Sequence, residues 1–108
     1  MSEYYLLKDK EVRAVDEDEY HAATKEERSG RLFIDKIEGY FISTIFLGQN
    51  YDFLGIGSPL VFETMVFKGE NFNKSKIEGN ERYSTYEQAE EGHKQTVKKY
   101  LNKIKKGK

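Results

Sequence analysis

The sequence predicts an α+β fold: a small antiparallel sheet with a long C-terminal helix packed on one face and a shorter helix near the N-terminus. Three observations predict it. Two runs, YFISTIFL from Tyr40 and LVFETMVF from Leu60, are dense in aromatic and β-branched residues, as strands are. Ala89, His93, Val97, Tyr100, Leu101 and Ile104 recur at helical spacing. Asp16, followed by Glu17, Asp18 and Glu19, reads as an acidic helix N-terminus.

Taken in order, Tyr4 to Leu7 and Glu11 to Val15 form a hairpin about a polar Lys8-Asp9-Lys10 turn. A helix from Glu17 to Arg28 follows, with few apolar residues beyond Tyr20 and Ala23, and Ser29-Gly30 ends it. Arg31 to Ile37 and Tyr40 to Leu47 make a second hairpin about Glu38-Gly39. In Tyr40 to Leu47 both alternate sets of side chains are largely apolar, which suits a central strand covered on both faces. The long helix covers one face, and the shorter helix or a second subunit covers the other, so a homodimer is an expectation. Leu60 to Phe67 returns antiparallel. Residues 68–82 are polar, hold two glycines and show no period, and read as a mobile loop. Ser84 and Glu87 form a capping box for the long helix, and residues 103–108 form a basic tail.

The 108 residues make one domain. With 18 Lys and Arg against 19 Asp and Glu, the charge balance points away from a general nucleic-acid binder and from an acidic mimic of DNA. The absence of Cys removes disulfides, thiolate catalysis and thiolate metal sites, and no run reaches the ~20 apolar residues of a spanning helix. No signal peptide is legible, so the expected location is the cytoplasm, with no membrane contact.

The richest stretch for a site is the connection Gly48 to Pro59, GQNYDFLGIGSP, which sets glycine, amide and carboxylate groups between two stiff strands. Gln49, Asn50, Tyr51 and Asp52 are its candidate binding residues. It lacks the spacing of a P-loop, and its G-x-G precedes a strand rather than a helix, so the plain reading is a long connection that needs glycine for positive φ. Glu63 stands among apolar neighbours, either solvated or salt-bridged, or else a raised-pKa acid. His93 lies on the apolar stripe of the long helix, and the plain reading bonds it to a backbone carbonyl at the core edge. Arg31 and Arg82 are candidate anion contacts. Two histidines and scattered carboxylates show no ligand spacing, so no metal and no cofactor are implied, and Ser43, Thr44 and Ser58 sit in no nucleophile elbow.

At STIFLGQNYDF, PLVFETMVFKG and RYSTYEQAEEGH, that is Ser43 to Phe53, Pro59 to Gly69 and Arg82 to His93, the chain resembles a family of small uncharacterised proteins of tailed phages and prophages. The opening YYLLKDKEVRAVD fits the same pattern. Relatives in that family have an acidic residue and a histidine where this chain has Asn50 and Tyr51. The resemblance implies an accessory protein acting in the host cytoplasm, possessing no activity that transfers with it.

Four functional readings follow. The first is a non-enzymatic binding protein that contacts a host protein, one that modulates host defence, through Gln49, Asn50, Tyr51 and Asp52. The second binds a small nucleotide-like ligand with the loop glycines, Arg31 or Arg82 as anion contacts, and His93 or Glu63 beneath. The third is a small hydrolase with Glu63 and His93 as acid and base. The fourth places nucleic acid on the lysine-rich end, against the overall charge balance.

Overall fold

The computed structural model describes residues 4–50, 57–69 and 76–107. Strands β1 (Tyr4–Lys8) and β2 (Glu11–Val15) pair antiparallel, Leu7 opposite Val12, about Asp9 and Lys10 at φ 50° and 69°. Positive φ at both turn residues is the two-residue hairpin geometry whose twist matches the strands. Next come α1 (Glu17–Ala22) and α2 (Lys25–Arg28). The single helix expected from Glu17 to Arg28 is therefore two. Asp16 caps the first, accepting from the Glu19 N–H at 2.8 Å. Thr24 interrupts it, because its hydroxyl accepts from the Glu27 N–H while the Glu27 carboxylate accepts from the Thr24 N–H, a complete capping box that starts a second helix. Both short helices pack on β1, with Tyr20 buried against Leu6 and Val15. They do not cover the far face of the main sheet.

That sheet is an antiparallel meander in the order β3 (Gly30–Ile37), β4 (Tyr40–Phe46), β5 (Phe62–Lys68), β6 (Lys76–Tyr83). The β3–β4 hairpin and the antiparallel return are as the sequence predicts. Strand β6 is not: from Lys76 onward it occupies the latter part of the segment 68–82 that reads as a mobile loop, and residues 70–75 of that segment lie outside the described residues. A two-sided pattern is absent from β6 because it is an edge strand, with Gly79, Glu81 and Tyr83 on one face and Asn80 and Arg82 on the other.

Helix α3 (Tyr86–Lys106) lies across one face. Its cap is Thr85, whose hydroxyl accepts from the Gln88 N–H while the Gln88 carboxamide accepts from the N–H groups of Thr85 and Ser84. The capping box is thus one residue later than Ser84 and Glu87, because Gln88 serves two orphan amides at once. The helix runs through Lys106, so the expected basic tail is largely its last turn. It buries Ala89, His93 and Tyr100; Leu101, expected on the same stripe, is exposed.

Paired residues of an antiparallel ladder share a face. Under α3 lie Ile42, Thr44 and Phe46 of β4 and Phe62, Thr64 and Val66 of β5. The apolar members form two clusters. Phe46, Phe62, Val61, Ala89 and Tyr5 make one, with the Phe46 and Phe62 rings 5.2 Å apart. Tyr40, Ile42, Val66 and Tyr100 make the other, with Tyr40 and Tyr100 rings 4.8 Å apart. Thr44, Thr64 and His93 lie between them as a polar band.

Gly48 is the junction of the N-terminal hairpin and this sheet: its carbonyl accepts from the Tyr5 N–H at 2.9 Å and its φ is 74°. A Cβ there would stand 2.1 Å from the Arg28 carbonyl oxygen, which backbone cannot yield cheaply. Gly48→Ala is expected to destabilise the protein by about 2 kcal/mol or more, read as a lower denaturation midpoint.

Candidate functional site

The structure ties the band together through its one central histidine. On β4, Thr44 has no exposed surface and sits opposite Thr64 of β5; the two hydroxyl oxygens are 2.5 Å apart. Thr44 Oγ1 also lies 2.7 Å from His93 Nδ1, and His93 Nε2 lies 2.7 Å from Asp35 Oδ2 on β3. His93 is 4% exposed, whereas the Asp35 side chain is half exposed. The Phe33 ring stands 5.5 Å from the imidazole. His93 is a core histidine as expected, but its partners are a carboxylate and a hydroxyl rather than a backbone carbonyl. A Thr–His–Asp series invites comparison with a nucleophile, base and orienting acid. A hydroxyl without exposed surface cannot reach a substrate, so the arrangement holds the core together and does not attack.

Glu63 is on the other face of the sheet, in the row Arg31, Ile45, Glu63, Arg82. Its Oε2 accepts from Arg82 Nε at 3.0 Å and from Asn80 Nδ2 at 3.2 Å. Only 8% of Glu63 is exposed, so the carboxylate is a buried charge held by a partner, the salt-bridged alternative of the sequence reading. Glu63 and His93 therefore do not meet, which removes them as an acid and base pair. Arg31 and Arg82 share the face of Glu63, so neither lies over His93.

Within the Gly48 to Pro59 connection, Asn50 Oδ1 accepts from the Leu60 N–H at 3.0 Å and fastens the loop across its base. Gln49 is exposed and bridges Tyr4. Tyr51, Asp52 and Gly55 lie outside the described residues, and Gly57 has φ 114°, in keeping with a glycine needed for backbone conformation.

A concavity lies elsewhere, against the long helix. Between α3 and β6 is a cleft of about 360 Å³ with Thr64 and Val66 on its floor. Tyr83, Tyr100, Gln95, Thr96 and Lys99 contribute to its walls, together with Glu78 and Glu81. Gly92 opens it. A Cβ at that position would lie 2.2 Å from the Tyr83 ring, so the missing side chain is what lets Tyr83 lie against the helix. Burial, and then the Glu81 charge, raise the Tyr83 phenol; burial, and then the Glu78 charge, raise that of Tyr100. Both therefore stay protonated through the neutral range. Lys103 binds Glu78 at 3.4 Å, a bond that holds the ammonium protonated, and Lys99, its ammonium 5.8 Å from the Tyr100 ring centroid, is the cation lining the cleft.

None of these cleft residues stands out in the sequence. Thr64 and Tyr83 fall in the runs that carry the family resemblance but in no catalytic or binding motif, and the segment that supplies Glu78 and Glu81 reads as loop. Gly92, a glycine in the middle of a strongly periodic helix, is the signal that a close approach occurs there.

Among the described residues no group of three or more His, Asp or Glu is placed to hold a metal, and no helix is long and apolar enough to cross a membrane. Comparison with family models, with curated proteins and with solved structures found no match.

Two outcomes are expected. Arg82→Met strands the Glu63 carboxylate and costs about 1–3 kcal/mol in chemical denaturation, most of which returns in the double variant with Glu63→Gln. As pH rises above the ordinary phenol value of about 10, the unfolded chain releases its tyrosine protons before the folded one. Folding stability is thus full below that pH and falls above it, and Tyr83→Phe with Tyr100→Phe flattens the fall measured by thermal unfolding.

Proposed function

We propose that this protein is a non-enzymatic binding protein that takes a small polar ligand in the cleft between α3 and β6. The cleft itself carries the reading. Its volume is in the range of small-molecule sites, and its polar groups converge from two rigid elements. Their chemistry narrows the ligand. Two neutral phenols, the Gln95 amide and the Thr96 hydroxyl offer uncharged hydrogen bonds, while Lys103 occupies Glu78 and leaves Glu81 and Lys99 to offset each other. With the charges lining the cleft offset against one another, an uncharged molecule of nucleoside size fits better than a nucleotide. In the phage setting that the family resemblance implies, such a protein acts in the host cytoplasm by withholding a small host molecule. Separation of Glu63 from His93 by the sheet supports binding over hydrolysis.

A second reading retains a host protein as partner of the Gly48 to Pro59 connection. It is favoured by the fastening of that loop through Asn50 to Leu60, which presents a recognition segment on a rigid base. Native mass spectrometry of the protein purified from a bacterial cytoplasm separates the two: a small adduct supports the cleft, a co-purifying protein lost on alanine replacement of Tyr51 and Asp52 supports the loop, and a doubled mass reports a homodimer.

For the cleft, a panel of uncharged nucleosides and their 5′-monophosphates is expected to show at least one nucleoside that raises the melting temperature, with its monophosphate weaker. Gln95→Trp, which fills the cleft mouth from an exposed position, abolishes the shift. Equal stabilisation of the Gln95→Trp variant, or preference for the monophosphate, would count against the reading.

A further inference from the structure

The face of the sheet turned away from α3 carries a concavity of its own, about 210 Å³ in volume. Arg31 of β3, Ser43 and Ile45 of β4, and Met65 and Phe67 of β5 line it. The ladder explains why they converge: Ser43 is paired with Met65, and Ile45 with Arg31 on one side, while Phe67 follows two residues after Met65. Residues so placed share one face of three paired strands. Arg31 and Ser43 are diagonal neighbours, a separation that a long side chain spans.

Two features distinguish this pocket from a gap between side chains. The first is Ser43, which is 5% exposed although its hydroxyl makes no hydrogen bond among the described residues. Its neighbour Thr44, by contrast, is served twice. Buried hydroxyls are ordinarily paired, so one that opens on a cavity is a place where an incoming polar group is met. The second feature is the sign of the charge. Arg31 is the charged member of the lining among the described residues, and Glu63, in the same row of the sheet, is already held by Arg82 and Asn80. An arginine has five N–H donors and serves more than one partner at once. The remaining walls, Ile45, Met65 and Phe67, are apolar.

We propose that this pocket binds a small monocarboxylic acid, its carboxylate taken by the Arg31 guanidinium and the Ser43 hydroxyl and its apolar body laid against Ile45, Met65 and Phe67. The volume sets the size. An apolar cavity of about 150 Å³ admits benzene, so this one holds a single ring or a short chain together with its acid group, and is too small for a nucleoside. The charge sets the class. A second anionic group would have to be buried against methionine and phenylalanine without a partner, which disfavours dicarboxylates and phosphates. The sheet separates this pocket from the cleft under α3, and neither reading rests on the other.

Nuclear magnetic resonance of the whole chain, with ¹³C-labelled methyl groups and near pH 7, where a carboxylic acid is ionised, tests this. Benzoate and hexanoate are the probes, with benzyl alcohol and hexanol as their uncharged counterparts. Both acids are expected to shift the Ile45 and Met65 methyl signals saturably, and to bind several-fold more tightly than the alcohols. Arg31→Leu, at an exposed position, removes that advantage and leaves the alcohols as they were; Ser43→Ala weakens all four. Gln95→Trp, which fills the cleft under α3, leaves these shifts in place, so a failure here and a failure of the cleft reading are told apart. Methyl signals that do not move, or do not saturate, overturn the proposal, as do acids and alcohols bound alike by the unaltered chain. An advantage of the acids that persists in Arg31→Leu overturns it too. Signals that follow protein concentration rather than the acid place a second copy over this face, and also overturn it.

Discussion

Three polar side chains, Thr44, Thr64 and His93, are held in the middle of an otherwise apolar core, and the arrangement of the protein follows from the need to satisfy them. A buried hydroxyl without a partner costs about 1–3 kcal/mol, and a buried imidazole has two nitrogens to serve. Neither threonine can be served by the sheet ladder, whose bonds are made by backbone. They serve each other across β4 and β5, and His93 closes the group from α3. The requirement fixes the axial position of the helix, since a shift of one residue would carry His93 away from Thr44. It also fixes the neighbours: Ala89 falls on the Phe46 and Phe62 cluster and Tyr100 on the Tyr40 and Ile42 cluster. A purely apolar band would allow the helix to slide at little cost, so the polar one provides register where packing alone would be permissive.

The same requirement reaches the surface in two places. The last unsatisfied atom of the imidazole, Nε2, is met by Asp35, which is why a carboxylate of β3 is drawn to the helix. At the other end Thr64 lies below Tyr83, and Gly92 lets that ring approach the helix closely enough to complete one wall of the cleft. The far face of the sheet is organised by separate chemistry, the buried Glu63 held by Arg82 and Asn80. Two ionisable groups that look like partners in a linear reading thus belong to two independent networks, each with its charge accounted for.

Much of the fold is legible because burial writes itself into sequence as periodicity. Tyr40 to Phe46 is buried on both faces and shows it; α3 carries its apolar stripe; the β3–β4 turn carries its glycine. Strand β6 is illegible for the converse reason. It is an edge, it meets α3 through a glycine, a glutamate and a tyrosine, and its other face pairs with a charge, so no alternation survives. Thr24 as a helix breaker is hidden by the good helix formers around it, and its role depends on Glu27 alone. The site suffers most, because its residues come from β3, β4, β5, β6 and α3. Asp35 and His93 are 58 positions apart, and nothing local to either marks the pairing.

That distribution bears on what kind of function the fold can support. Catalysis by acid and base needs the two groups to reach one substrate, and here the charged pair and the imidazole are insulated from each other by the thickness of a sheet. Binding needs less: a concave wall, groups whose protonation is steady, and support that holds them in place. The cleft has all three, since its phenols stay protonated, Lys103 occupies Glu78, and the wall rests on the band that sets the helix register. Thr64 thus serves both the buried group and the floor of the cleft. A change that loosens the Thr44, Thr64 and His93 group therefore reaches the cleft through Thr64, so the residues that hold the core together also shape that concavity.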